Sequence, residues 1–216
     1  MLKSRYHLDS RLAVGLSLMA TAGFWLVARA HSWFFSDDYW SLSLATTRSF
    51  VDFIMTPIDV HFLPLHRLAT WSIYTLFPLN FDVALFVMCA FHMAGVWILY
   101  RTLEVIGESP LNGPLTALCG TSFYAAVLLT WWTVGIARFP YVVLSLAAIC
   151  QYLKVRQETS LARIVALLAC IVSAAAFFTK ALLIPGFLAA LEVALSPGTP
   201  RRNVARNIGV ITIAAL

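Results

Sequence analysis

The chain has 216 residues, of which 61% are hydrophobic and 12% are charged, and its mean hydropathy is +0.83. Soluble domains carry about 25% charged residues, so this composition excludes an ordinary soluble domain and predicts an all-α, polytopic transmembrane bundle. The net charge of +5 does not indicate nucleic-acid binding, because lysine and arginine gather in the cytoplasmic loops of membrane proteins.

The first apolar segment, residues 12–28, is predicted to be a retained membrane span. It is longer than a typical signal-peptide core, and Arg29-Ala30-His31 is a poor cleavage site. Residues 31–80 then alternate charged side chains with aromatic and aliphatic ones, which makes them too polar to cross lipid. We therefore expect interfacial amphipathic helices at 36–80, broken near Thr56-Pro57 and Leu63-Pro64.

The remainder of the chain predicts further spans separated by short turns. They are expected at 83–100, 115–137, 141–153, 164–179 and 181–195, with the start of another at 207–216. One turn is placed at Arg138-Phe139-Pro140. A second is placed near Lys180, because residues 164–195 as one helix would measure about 48 Å, well beyond a core of about 30 Å. The last run covers about half a crossing, so we expect a single transmembrane domain over 1–216 that is truncated at its C-terminus.

The distribution of lysine and arginine predicts the orientation. With a cytoplasmic N-terminus, ten of these residues fall on the cytoplasmic side and five on the other, which is the cytoplasmic excess expected for a multi-pass membrane protein. Nine ionisable side chains then share the outer side: Asp37, Asp38, Asp52, Asp59, His61, His66, Arg67, Arg138 and Lys180.

The segment 33–40, which reads Trp-Phe-Phe-Ser-Asp-Asp-Tyr-Trp, places two carboxylates among five aromatic side chains. In one interpretation Ser36 caps a helix, and Asp37 and Asp38 lie in its first turn against the positive end of the dipole. In the other, one aspartate is a catalytic base or a metal ligand at the membrane surface, made more basic by its apolar surroundings. The segment alone leaves both open.

The outer cations have two interpretations as well. Arg138 and Lys180 are either anchors whose charged ends reach the interface, or ligands of a phosphate group. His61 and His66 are five residues apart with Pro64 between them, which is not the spacing of a helical metal pair, so hydrogen bonding is expected.

Two ionisable residues lie within predicted spans. His92 is in the middle of its span and is expected to bond another helix. Glu192 is expected to reach the interface or to pair with Arg201 or Arg202. The four cysteines lie singly in apolar segments, without metal-ligand spacing, and indicate no metal site.

Several of these motifs, taken together, resemble the C-type glycosyltransferase superfamily of multi-span membrane enzymes, such as protein O-mannosyltransferases and aminoarabinose transferases. The similar features are a first span, an outer segment beginning Ser36-Asp37-Asp38-Tyr39-Trp40, and the interfacial sequence 61–68, His-Phe-Leu-Pro-Leu-His-Arg-Leu. Phe91-His92, the turn at 138–141 and Thr179-Lys180 continue the resemblance, which covers the chain as an N-terminal portion. Family members are usually longer, and this chain lacks a second acidic motif.

The resemblance implies transfer of a sugar from a polyprenyl-phosphate-linked donor to a glycan, lipid or protein acceptor, on the extracytoplasmic side of a bacterial inner membrane. The family's first-loop acid corresponds to Asp37 or Asp38, and its phosphate-binding cations correspond to Arg138 and Lys180. Arg67, His61 and His66 complete the expected substrate-binding set. The resemblance leaves a divalent metal open.

Two alternative functions remain. The chain is either a non-catalytic or truncated membrane scaffold, or a lipid flippase or transporter. The second alternative predicts facing charges along a central path and repeated halves, and the sequence shows neither.

Overall fold

A computed structural model describes residues 2–58, 60–197 and 201–215, and the side chains of 10–58, 60–197 and 203–213. These residues are helical almost throughout, which confirms the all-α prediction. Within this part of the chain, the extended pairing is limited to one antiparallel bridge between Ile58 and His61. Asp59, which was expected on the outer side, lies outside the described residues.

The helices follow one another with short connections. In chain order they are α1 (Leu2–Ala28), α2 (Ser36–Thr47), α3 (Phe50–Met55), α4 (Pro64–Leu76), α5 (Phe81–Ile106), α6 (Asn112–Gly120), α7 (Phe123–Leu129), α8 (Trp132–Gln157), α9 (Leu161–Phe177), a 3₁₀ helix (Thr179–Leu183), α10 (Ile184–Leu195) and α11 (Arg201–Ala215).

Three helices in the described residues are long and apolar enough to cross a membrane. They are the Ser10–Ala28 part of α1, the whole of α5 and the whole of α8, and α9 is a shorter apolar helix of 17 residues. These lengths support a membrane protein, because about 20 apolar residues span the hydrocarbon core as a helix.

Hydrogen bonds between helix termini define two ends of the bundle. At the Asp38 end, Asp38 at the start of α2 binds Thr133 at the start of α8, and Thr179 after α9 bonds His61. At the Glu192 end, Arg163 at the start of α9 donates to the carbonyl of Lys154 near the end of α8.

The predicted span at 115–137 and the predicted turn at Arg138-Phe139-Pro140 are wrong. The chain breaks earlier, between α6 and α7 and again at Thr130-Trp131, and α8 continues through Pro140 without a turn. A proline removes one backbone donor, and a helix packed among neighbours tolerates that loss. The break before α8 is instead stabilised by a distant carboxylate that caps its first turn.

The helix α9 is nine residues shorter than its antiparallel neighbour α8, about 13 Å of helix rise. The ring of Phe178 accordingly packs on Tyr141, well inside α8, with ring centroids 5.5 Å apart. The turn that carries Lys180 therefore lies more than two helical turns below the start of α8, and the loop containing His61 reaches down to it.

Close backbone approach joins α1 to α6. A Cβ added at Gly113 would lie 2.4 Å from the Cα of Ser10, and one added at Gly120 would lie 2.3 Å from the Oγ of Ser17. Small residues allow such contacts between helices in lipid, where burial of apolar surface supplies little drive for association. The two glycines thus determine how closely α6 packs on the first span.

Candidate functional site at the Asp38 end

Asp38 is completely buried, and both of its carboxylate oxygens accept hydrogen bonds. Oδ2 accepts from the backbone N–H of Phe35 at 2.8 Å. Oδ1 accepts from the backbone N–H of Thr133 at 2.7 Å and from its hydroxyl at 2.5 Å. The first turns of α2 and α8 both have unpaired N–H groups and the positive ends of their dipoles here, so one carboxylate caps two helices.

This geometry corrects the expected capping arrangement. Phe35, not Ser36, is the N-cap residue of α2, and Ser36 is its first helical residue without a capping bond of its side chain. Asp38 in the first turn reaches back to the Phe35 N–H, as the acidic residue of a capping box does. The hydroxyl of Tyr74 donates to the Asp38 carbonyl at 2.9 Å, and this adds α4 to the junction.

Asp37 faces the other way. Its side chain is exposed, and within the described part of the chain no hydrogen bond or ion pair involves it. The acidic pair is therefore divided by the fold. One carboxylate is committed to three donors, and its neighbour is open to a ligand.

His66 is buried beside the same junction. Its Nε2 lies 3.0 Å from the carbonyl oxygen of Thr133, which can only accept, so Nε2 carries the proton and Nδ1 is left with a lone pair. Nδ1 is buried without a partner. Burial lowers the pKa of His66 from 6.5 to about 4, so the ring is neutral at pH 7.

Arg67 is completely buried, although it carries a charge. Its Nε donates to the Thr56 carbonyl at 3.1 Å and its Nη2 to the Pro57 carbonyl at 3.2 Å, whereas Nη1 is buried without a partner. The guanidinium also lies over the rings of Phe53 and Trp40. Burial and, to a smaller extent, the nearby charge of Arg48 lower its pKa to about 10.

Arg48 approaches the same loop from its exposed side. Its Nη1 donates to the Thr56 hydroxyl at 2.5 Å, while Arg67 binds the carbonyl of that residue. No described carboxylate forms an ion pair with either guanidinium. Two like charges held at one threonine repel each other, and an anion bound between them would remove that cost. We call Arg48, Thr56 and Arg67 the arginine cluster.

The sequence-predicted cations are not brought together by any described contact. Lys180 is exposed, with its Nζ 5.6 Å from the centre of the Phe178 ring, next to the Thr179–His61 hydrogen bond of 3.0 Å. Arg138 lies in the second turn of α8, over the ring of Tyr124 at 5.7 Å. Arg138 is thus placed toward α7, whereas Lys180 is placed at the end of α9.

The histidines do not form a metal pair, since His61 bonds Thr179 and His66 bonds Thr133. Among the residues that the structure describes, no three His, Cys, Asp or Glu side chains meet as a candidate metal site. His92 bonds the carbonyl of Gly120 in α6 at 2.7 Å, so it joins two helices. Glu192 is completely buried and pairs with Arg156 at 2.6 Å, which corrects its expected location at the interface. Its expected pairing with Arg201 or Arg202 lies outside the described side chains.

Two important residues were missed from the sequence. Thr133 was not singled out because it lies in an apolar run, and its partner Asp38 is 95 positions earlier. Arg48 was counted only for orientation. No local signal in the sequence linked it to Thr56, the residue that its guanidinium contacts eight positions later.

Comparison of the chain with protein-family models, with curated proteins and with solved structures gave no match. The functional assignment therefore depends on the residues and their geometry.

Proposed function

We propose that this chain is a membrane glycosyltransferase with the C-type architecture, which transfers a sugar from a polyprenyl-phosphate-linked donor to a hydroxyl acceptor. The reaction takes place at the Asp38 end of the bundle, on the extracytoplasmic side. The orientation is supported by the basic residues of the opposite end, where Arg101, Lys154, Arg156, Arg163 and Arg206 gather as cytoplasmic residues do.

The observation that carries the proposal is the division of labour within the acidic pair. Asp38 caps α2 through one hydrogen bond from Phe35 and joins it to α8 through two from Thr133, so the adjacent Asp37 is presented on a rigid element. A catalytic base has to be held in place and be reachable by substrate, and Asp37 meets both requirements. Asp38 is then a positioning residue.

The cations supply the second part of the proposal. The arginine cluster holds two guanidiniums without a described carboxylate partner, and Lys180 is exposed at the end of α9. When the sugar is transferred, the lipid phosphate leaves and develops negative charge, so the site requires positive charge beside that phosphate. We assign Lys180 and the arginine cluster to that role, ahead of Arg138, which contacts α7.

The chemistry follows from these roles. The acceptor hydroxyl attacks the anomeric carbon of the donor sugar, and Asp37 accepts the hydroxyl proton as the new C–O bond forms. The bond from the anomeric carbon to the phosphate oxygen breaks, and its electron pair leaves with the polyprenyl phosphate. Arg or Lys side chains stabilise this leaving group by charge-assisted hydrogen bonds.

The test uses the chain reconstituted in liposomes with a panel of radiolabelled polyprenyl-phosphate sugars and membrane extract as the acceptor source. We expect Asp37→Asn to reduce transfer at least about 100-fold, the usual contribution of a positioned base. The matched control is Asp52→Asn, an exposed carboxylate on α3 that caps locally with Ser49. Equal transfer by wild type and Asp37→Asn would refute the assignment.

Donor binding is tested separately by photo-crosslinking with a benzophenone-bearing polyprenyl phosphate. Lys180→Gln is expected to reduce labelling, whereas Lys154→Gln, a lysine at the opposite end of α8, is expected to leave it unchanged. If both variants label like wild type, the proposed phosphate site is wrong.

A second function, a non-catalytic membrane scaffold, is favoured by one observation. The burial of Asp38 and its three bonds account for half of the acidic pair structurally, without any chemistry. A scaffold predicts no labelling by the polyprenyl phosphate probe and no transfer in either wild type or variant. The two experiments above therefore separate the two functions.

A further inference from the structure

The Glu192 end contains a polar pocket of about 270 Å³ that the proposed glycosyl transfer does not use. It lies where the last turns of α5, α8 and α10 meet α11. Its lining residues are Val105, Ile106, Leu153, Arg156, Gln157, Leu195, Asn203, Arg206 and Asn207. Two guanidiniums and three amides thus form its polar wall, and none of its described lining residues is a carboxylate.

Glu192 lies behind this wall and accounts for only one of the two positive charges. It is completely buried, pairs with the Nε of Arg156 at 2.6 Å, and accepts from the hydroxyl of Tyr152 at 2.5 Å. Its other oxygen accepts from Ser196 and Asn207 at 2.9 and 3.0 Å. The Glu192–Arg156 pair is therefore neutral as a whole and satisfied within the protein.

Arg206 supplies the second charge. Its Nε and Nη2 both bind the Asn207 side-chain oxygen at 3.3 and 3.2 Å, and no described carboxylate pairs with it. The residue is exposed, so its guanidinium can meet a ligand from outside. The Asn207 amide bonds both Arg206 and Glu192, so it holds the free cation against the satisfied pair.

The helix C-termini around the pocket oppose an anion, because their carbonyls carry partial negative charge. Arg156 already offsets part of this effect, since its Nη2 donates to the Leu195 carbonyl at 3.0 Å. The charge of Arg206 and the amide donors of Gln157 and Asn203 are left to face the cavity.

We propose that this pocket binds a phosphate group through Arg206, with Arg156, Asn203 and Gln157 as supporting donors. A volume of about 270 Å³ accommodates a phosphate with a small substituent. The phosphate belongs either to an anionic lipid headgroup, since Val105, Ile106 and Leu195 give the pocket an apolar side, or to a free phosphate compound. Because the site is at the opposite end from Asp37, it is independent of the proposed transfer reaction.

The experiment compares wild type, Arg206→Gln and the control Arg101→Gln. Arg101 is an exposed arginine at the same end, paired with Glu104 at 2.7 Å and absent from the pocket lining, so it changes the surface charge equally. Native mass spectrometry counts phosphatidylglycerol and phosphatidylcholine retained by the purified chain in detergent. Equilibrium dialysis with radiolabelled inorganic phosphate measures the free anion, and thermal unfolding checks that every variant is folded.

We expect Arg206→Gln to weaken binding of one or both phosphate probes at least about tenfold, which is the effect of losing one charge-assisted hydrogen bond. Arg101→Gln is expected to bind like wild type. Loss confined to phosphatidylglycerol identifies a lipid headgroup, and loss confined to inorganic phosphate identifies a soluble ligand. Equal losses in both variants, or no binding of either probe by wild type, would overturn the proposal.

Discussion

Replacing Asp38 with asparagine tests whether one carboxylate caps both α2 and α8. The asparagine side chain is nearly isosteric, but one of its two positions is an amide that donates instead of accepting. If its oxygen stays on Thr133, its NH₂ group faces the Phe35 N–H, and two donors then oppose each other in a fully buried place.

The structure gives the magnitude. A buried donor left without its acceptor costs about 1–3 kcal/mol, and the two bonds that remain lose the assistance of the charge. Together we expect Asp38→Asn to lower the free energy of unfolding by about 2–4 kcal/mol. For a chain of this size that corresponds to a fall in Tm of roughly 5–15 °C.

The assay is thermal unfolding of the purified chain in detergent, followed by circular dichroism, with Asp37→Asn as the matched control. The control removes the same charge one residue earlier, at an exposed side chain without a described partner, so its stability should stay within about 0.5 kcal/mol of wild type. If the two variants unfold at the same temperature, the shared cap is refuted.

Three further predictions test the packing and the electrostatics around this junction. The folded-state pKa of His66 is lowered to about 4, so on acidification the unfolded chain takes up a proton that the folded chain excludes, and the free energy of unfolding should fall by about 3 kcal/mol between pH 6.5 and pH 4. His66→Gln should show a smaller fall in the same denaturation series. A fall as large as that of wild type would contradict the pKa shift. Thr133→Val removes the hydroxyl donor to Asp38 but keeps the backbone N–H, so it should lower the free energy of unfolding by about 1–2 kcal/mol. Its effect and that of Asp38→Asn should be non-additive in a double-mutant cycle, and strict additivity would show that the two side chains do not interact. Gly113→Ala forces a Cβ into the backbone of α1 and should cost about 1–3 kcal/mol in thermal unfolding, whereas Gly15→Ala meets open space and should be neutral or slightly stabilising, so equal effects would contradict the close contact of α1 with α6.

Part of the candidate site was predictable because the signals were local. The segment 33–40 was recognised as a helix start with an acidic pair, and α2 does begin there. The breaks at Thr56-Pro57 and Leu63-Pro64 follow from the restrictions that proline places on its neighbours, and α3 and α4 end and begin at those positions. Which aspartate is buried could not be predicted, because that depends on the direction from which α8 approaches α2.

Composition and apolar run length alone predicted a helical protein with membrane spans, because backbone polar groups in lipid have to be satisfied within each segment. Three of the described helices are indeed long and apolar enough to cross a membrane. Only the tertiary structure decided where α8 begins. The local signals Arg138 and Pro140 predicted a turn, yet the helix starts at Trp132, where a carboxylate 95 residues earlier binds the N–H of Thr133. The physical reason is that a helix start requires a partner for its unpaired N–H groups, and here that partner is distant in the sequence.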